Sequence, residues 1–344
     1  LTRIGAPGLG AVQGPYLRKG EFQFTSQVTR FETNDQFGGG AFEGNQQRTD
    51  LYATDSQVNE GGVSLDMNLG YGLSRQLTLE VSAPLILYSH WSVKLAGTRY
   101  NQKIQGIGDT SVGMRWSVMN CARYPDMNIS FGFNVRAPTG DSNYQVLYPN
   151  KLGQDFNMRP VHPAVQPGSG AWAIRPSINA FRQFRRFTLF GTATYQFSLR
   201  SHNDTYALSA ALNPAGPTAV SEDLRYLSTP DSYLANLGIG IPVRKLGVTT
   251  FMNWRIVGVP VHNVFGPTLG YRQPGYYVTV EPGVSWVIGR AAYSVSLPIR
   301  TWAATKDNFL DQPASSDFTR YSLVGSVSFR FGGKTRESDR TGRD

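Results

Sequence analysis

The chain has 344 residues, 40% hydrophobic and 12% aromatic, which is too apolar for a disordered chain and long enough for one large or two ordinary domains. No stretch approaches the roughly 18 consecutive apolar residues of a membrane-spanning helix, so helical membrane insertion is excluded. The net charge of +9 is scattered rather than clustered, and the one cysteine, Cys121, excludes an internal disulfide.

Leu1 opens the sequence without an initiator Met or a basic-then-apolar leader, so either a removed targeting segment, which would fit export, or a shortened start is expected. From residue 20 onward apolar and polar residues alternate with period two in twelve runs. They are 20–33, 62–72, 75–89, 108–119, 125–138, 171–183, 186–200, 232–243, 246–258, 275–288, 291–303 and 319–331. Most exceed the five or six residues of an ordinary strand and match the roughly 9–11 that a tilted strand needs to cross a bilayer. Short connections at 73–74, 120–124, 184–185, 244–245 and 289–290 alternate with long ones at 34–61, 90–107, 139–170, 201–231, 259–274 and 304–318. Such alternation predicts an all-β fold: a transmembrane antiparallel up-and-down β-barrel of about twelve strands, with short periplasmic turns and long extracellular loops. The expected organisation is an N-terminal periplasmic segment or plug at 1–19, the barrel at 20–332, and a charged periplasmic tail at 333–344.

Charge and proline follow the same division. Arg75, Arg123, Arg182, Arg185, Arg186, Arg244, Lys245 and Arg290 lie near the short turns, while Asp35, Glu43, Asp50, Asp55 and Glu60 crowd the first long loop. Every lysine falls outside the periodic runs, which is unusual for a water-washed sheet. Strands running toward the long loops end in related phrases, "EVSAPL", "NVRAPT", "IVGVPV" and "SVSLPI", whose proline predicts frayed or bulged pairing at that rim.

One phase of the runs is apolar, for example Leu77, Leu79, Val81, Ala83, Leu85 and Leu87, or Met127, Ile129, Phe131, Phe133 and Val135. The other is small and polar. Placing Arg330 in mid-lipid would cost about 2–4 kcal/mol, so Phe329 and Phe331 are assigned to lipid and Arg330 to the lumen. Tyr71, Trp116, Trp172, Tyr233 and Trp286 sit near the ends of the apolar face, as interfacial girdles do. The same phase predicts a pore lined by Asp66, Glu80, Asp109, Arg115, Arg136, Arg175, Arg255, Glu281, Arg300 and Arg330. Its arginine excess favours anions, and ion pairs across the wall offset the burial cost of these charges.

"GIGDTSVGMRW" at 106–116, "PGSGAWAIRPSINAFRQF" at 167–184 and "SVSFRFG" at 326–332 resemble phrases of the meta-pathway phenol-degradation (transporter-like) family of outer-membrane proteins. That resemblance implies an outer-membrane barrel passing small organic molecules. Outer-membrane barrels commonly finish at a terminal aromatic, whereas here Phe331 is followed by "GGKTRESDRTGRD".

The expected function is passive passage of small organic molecules or anions through the bacterial outer membrane. A closed barrel anchoring a larger assembly, with a periplasmic or surface protein as partner, is the alternative. An outer-leaflet lipid hydrolase built on Ser201, His202 and Asp204 ranks below both, because sequence adjacency does not supply triad geometry. His90, His162, His202 and His262 fall in or beside different long loops with no ligand spacing, so no metal, cofactor or catalytic residue is expected. "FGGGAF" at 37–42 lacks a following Gly-Lys-Ser/Thr and reads as a flexible loop tip. Membrane lipid is an expected partner; nucleic acid, favoured by bulk charge alone, is not.

Overall fold

A computed structural model describes residues 17–33, 36–39, 59–120, 123–312 and 314–332. All twelve periodic runs form strands: β1 Glu21–Thr33, β2 Asn59–Gly72, β3 Leu77–Leu95, β4 Ser111–Ser117, β5 Met127–Arg136, β6 Ala173–Gln183, β7 Thr188–Ser198, β8 Ser232–Val243, β9 Val248–Val259, β10 Gly275–Ile288, β11 in two pieces, Ala291–Ser296 and Ile299–Thr305, and β12 Tyr321–Gly332. Each pairs antiparallel with its sequence neighbour. β12 then pairs with β1 from Glu21↔Gly332 to Glu32↔Tyr321, so the sheet closes into a barrel without an edge. Apart from residues 17–19, the segment and tail expected at 1–19 and 333–344 lie outside the described residues, as does Cys121.

The oily phase faces outward. Val112, Met114, Ile129, Phe131, Phe133, Leu237, Trp254, Leu323 and Phe329 are all exposed although they sit mid-strand in a paired sheet. Closure satisfies the ladder groups that lipid could not, which is the condition for crossing a membrane with strands. At the short-turn rim Phe22 stacks on Phe331 at 5.4 Å, Trp116 on Phe131 at 6.3 Å and Trp286 on Tyr293 at 5.7 Å. Tyr195 pairs across strands with Tyr233 and contacts Phe197 near the other rim. These rings bound the apolar belt as girdles. Leu237→Arg, in mid-belt and 62% exposed, is expected to cost about 2–4 kcal/mol, measured as a lower urea midpoint in lipid bilayers. An unchanged midpoint would mean that water, not lipid, wets this face.

The inward phase is knitted across strands by small hydroxyls. Ser82 and Ser111 meet at 2.6 Å, Ser294 and Ser326 at 2.7 Å, and Ser328 Oγ accepts from Gln23 Nε2 at 2.7 Å. Each is a cross-strand pair of the kind that fixes register.

The prolines mark changes of partner. Below Pro84, β3 pairs with β4 through Ser82↔Ser111; above it, β3 pairs instead with a strand at Thr98–Ile107 through Leu85↔Ile107. Pro298 divides β11, and Pro138 and Pro260 follow the ends of β5 and β9. A residue without an N–H costs no ladder bond at such places.

The long connections depart from the expectation of loops. Residues 90–107 are mostly strand, because β3 continues past the belt and returns along Thr98–Ile107. A bulge makes this possible. Val63 faces Tyr88 while Ser64 faces Ile86, so Leu87 is an extra residue and the inside–outside phase reverses above it. Leu87 and Tyr88 therefore both point out, and Trp91, Val93 and Leu95 point in. Those three join Ile104, Tyr148, Val161, Val165, Leu208 and Leu212 in a buried core at the loop rim. Two further hairpins, Gln145–Tyr148 with Asn157–Pro160 and His202–Tyr206 with Tyr226–Ser228, complete this cap with short helices at Leu208–Ala211 and Glu222–Arg225. Arg159 fastens it, donating to the Tyr148 carbonyl at 3.1 Å, to the Ala211 carbonyl, and to Asp155 at 2.9 Å. Phe37–Gly39 of the expected loop tip also pair, in a strand Gln36–Gly39 set against Ala314–Asp317 where β1 and β12 carry their pairing beyond the barrel; residues 40–42 lie outside the described residues.

Candidate functional site: the lumen and its loop constriction

A cavity of about 490 Å³ runs through the lumen along the wall made by β1–β7. Of the predicted lining charges, Asp66, Glu80, Asp109, Arg115, Arg136 and Arg175 border it. Arg255, Glu281, Arg300 and Arg330 do not. Arg255 and Glu281 are buried with one another in the opposite half of the barrel, where Glu281 also accepts from Asn253 Nδ2 at 3.0 Å and Ser296 Oγ at 2.6 Å. Arg300 donates to the Phe318 carbonyl at the loop rim, and Arg330 lies at the short-turn rim, where its backbone donates to Arg290.

The charges that do border the cavity differ in freedom. Arg115 meets Glu80 at 2.8 Å, with both side chains partly exposed. Arg136 lies 3.7 Å from Asp109 and donates to Ser169 Oγ at 2.8 Å. Arg175 has a neutral partner, donating through Nη2 to Gln196 Oε1 at 3.0 Å, while its Nε is buried without a hydrogen-bond acceptor. Since Arg136 pairs with Ala173, Arg175 sits one diagonal step away on the same face, and two guanidiniums converge there.

Asp109 is the knot of the constriction. Its Oδ1 accepts the Gly140 N–H at 3.1 Å, and its Oδ2 accepts the Ser169 N–H at 2.9 Å and hydroxyl at 2.7 Å. The segment 163–169 is thereby drawn across the cavity's loop-rim end. Its return depends on glycine: a Cβ on Gly168 would lie 2.2 Å from the Gly140 oxygen. Asp231 ties the neighbouring loops in the same manner, accepting from the Ser198 and Val264 N–H groups, each at 2.8 Å.

The other end of the cavity is apolar, which the polar phase of the sequence hides. Phe181 and Phe190 face each other across β6 and β7, and Leu17 closes over Gly70 and Gly72. The Phe190 ring occupies the place of a side chain on Gly238, as Phe251 does on Gly283. A luminal aromatic opposite a strand glycine is the readable signal for such a position. At a rise of about 3.3 Å per residue, Phe181 lies roughly 20 Å along β6 from Arg175. The wall thus grades from two arginines to a ring-lined floor.

The histidines do not assemble. His162 stacks on Trp91 at 4.5 Å, and burial pushes its pKa down to about 3, so it is a neutral core residue of the cap. His90 shares a 2.7 Å hydrogen bond with Asn59, and His262 is exposed. His202 Nδ1 bonds the Asn203 carbonyl at 2.8 Å and its ring stacks on Tyr226, while Asp204 is taken by Arg200 at 2.7 Å. Neither contact gives Ser201 a base. Among the described residues no group of three or more His, Cys, Asp or Glu could hold a metal.

Comparison with protein-family models and with curated proteins gives no match. Among solved structures, an outer membrane channel from Pseudomonas putida F1 is similar over 95% of this chain and 100% of its own, at 14% identity and a TM-score of 0.60. The β domain of the Bordetella autotransporter BrkA covers 91% of this chain and 100% of its own at 10% identity and 0.45, and the CymD monoaromatic hydrocarbon channel covers 93% and 90% at 7% and 0.40. With its closed sheet, outward apolar belt and likeness to the Pseudomonas channel, this chain has the fold of an outer-membrane β-barrel.

Proposed function

We propose that this protein is a non-enzymatic outer-membrane channel that passively admits small organic anions, molecules that join a carboxylate to an apolar or aromatic body. The observation that carries the reading is the graded wall, with Arg136 and Arg175 converging at one end of the cavity and Phe181 and Phe190 at the other. A guanidinium whose partner is a neutral amide keeps its charge available to a passing carboxylate, whereas the Arg115–Glu80 pair is already matched. Luminal charge of this sort sets ion preference in channels. The apolar floor then holds the organic body weakly enough for it to leave. Similarity to a solved outer membrane channel supports the location and the role.

Single-channel recording in planar bilayers tests the reading. The wild-type protein is expected to conduct with a reversal potential favouring anions, and Arg175→Gln is expected to lower the anion-to-cation permeability ratio several-fold while leaving the barrel folded. Absence of conductance, or a ratio insensitive to Arg175, would refute it.

A further inference from the structure

The turn joining β6 to β7, residues 184–187, is basic and aromatic where the wall above it is apolar. Phe181 borders the cavity, so the next residue, Arg182, points the other way, between Met127 and exposed Leu189 on the neighbouring strands. Among the described residues of β4–β9 it is the one charge on the lipid-facing phase. Its guanidinium lies 5.0 Å from the centre of the Phe184 ring, and that ring stacks on Phe187 at 4.6 Å. A cation over an aromatic face is held there while the N–H groups at its edge stay open to an anion. The Phe184 N–H donates to the Phe187 carbonyl at 2.7 Å, which sets exposed Arg185 and Arg186 at the tip of a closed turn.

The height of Arg182 places it among headgroups. Exposed Trp172, immediately before β6, shares its outward phase at the loop rim. At a rise of about 3.3 Å per residue and a tilt of about 40°, Arg182 lies roughly 25 Å below Trp172 along the barrel axis, and the apolar belt of such a barrel is about 25 Å tall. The two side chains therefore mark opposite boundaries of the belt. A long cationic side chain at a boundary lays its stem on hydrocarbon and carries its charge into the headgroup zone. Little acid meets it there. Arg182, Arg185 and Arg186 are exposed and make no ion pair among the described residues. The adjoining turn, whose Asp126 carbonyl accepts the Gln183 N–H at 2.6 Å, supplies one exposed carboxylate, that of Asp126, which pairs with none of them and shares its turn with Arg123. Exposed Arg244 and Lys245 extend the basic surface along the next turn.

We infer that the β6–β7 turn binds the phosphate of an anionic phospholipid in the leaflet at the short-turn rim. Arg182, held against Phe184, presents a planar fork to the phosphate oxygens, and Arg185 and Arg186 add attraction from the turn tip. The stacked rings receive the glycerol and the first methylenes. Lipid fits better than a soluble anion, because Arg182 opens from the apolar wall beside Leu189 and not into the lumen. An acidic protein below the rim would reach the tip arginines but not Arg182 above the rings. The inference needs the membrane-spanning fold and is independent of what the lumen admits.

The test uses the full chain in uncharged detergent micelles, titrated with phosphatidylglycerol, with phosphatidylcholine and with glycerol phosphate, bound ligand being counted by native mass spectrometry. Each variant is first checked for the heat-sensitive gel migration of a folded barrel. Phosphatidylglycerol is expected to bind more tightly than phosphatidylcholine, and glycerol phosphate more weakly than either. Replacing Arg182, Arg185 and Arg186 together by Gln is expected to weaken phosphatidylglycerol binding on the order of a hundredfold, from three cations near an anionic surface. Arg182→Gln alone is expected to weaken it about fivefold, and Arg290→Gln, in the β10–β11 turn, not at all. Equal affinity for phosphatidylcholine, equal affinity for glycerol phosphate, undiminished binding by the triple variant, or an equal loss in Arg290→Gln would each overturn the inference. Conductance recorded on the same preparations separates this site from the channel: lipid binding lost with conductance and selectivity retained locates the effect on the outer wall.

Discussion

Glu281→Ala is expected to lower the unfolding free energy of the barrel by about 3–5 kcal/mol, the cost of breaking a buried ion pair from one side. Glu281 is 1% exposed and receives three side chains: Asn253, Arg255 and Ser296. Those donors come from β9 and from the first piece of β11, the two neighbours of β10, so one carboxylate spans three adjacent strands. Removing it strands a guanidinium and two neutral donors inside the wall, and no apolar contact replaces them. The carboxylate is specific rather than merely stabilising, because a fully apolar replacement of a buried pair is often neutral. Accordingly, Glu281→Leu combined with Arg255→Met is expected to recover most of the loss. Urea titration of the protein folded into lipid bilayers measures both. A loss below about 1 kcal/mol for the single variant would mean that water reaches this half of the lumen.

How much of this was legible in the sequence depends on which force set each position. Strand number and phase were readable because lipid and lumen impose period two on every stave, and β8 and β10 begin and end at the predicted residues, Ser232–Val243 and Gly275–Ile288. The extension of β3 was not, since one extra residue at Leu87 reverses the phase, and the pair Leu87–Tyr88 looks the same in sequence whether bulged or regular. Lys94 and Lys103 then read as loop residues although they lie on strands. Within the lumen, charge identity does not say which side chains share a space. Arg255 and Glu281 look no different in sequence from Arg115 and Glu80, yet the first pair is sealed in the wall and the second borders the cavity. Ser169 and the Gly140–Gly168 crossing were illegible for another reason: they depend on where residues 139–170 return, and no local periodicity encodes that path.

Asp109→Ala is expected to raise single-channel conductance several-fold and to add current noise, because it unties the segment that narrows the loop-rim end. The carboxylate accepts from the Gly140 N–H, the Ser169 N–H and the Ser169 hydroxyl, the last of which also reaches the Ala171 carbonyl at 3.3 Å, and it lies against Arg136. Its loss leaves the two N–H groups to find water, which favours a segment that lifts away from the wall. Arg136 is freed at the same time, so anion preference is expected to rise together with conductance. The two effects have separable sources. Asp109→Asn keeps a carbonyl for Gly140 but turns an amide toward the Ser169 N–H, and is expected to fall between wild type and Ala in conductance. The pair Asp109→Ala with Arg136→Gln is expected to retain the wider bore while losing the added anion preference. Because Gly140 and Gly168 contact each other directly, Gly168→Ala is expected to displace the same segment with every charge intact. Its conductance should therefore rise without a change in selectivity. If Asp109→Ala and Gly168→Ala both conduct as wild type does, the segment 163–169 does not limit passage, and the constriction must be sought at the ring-lined floor.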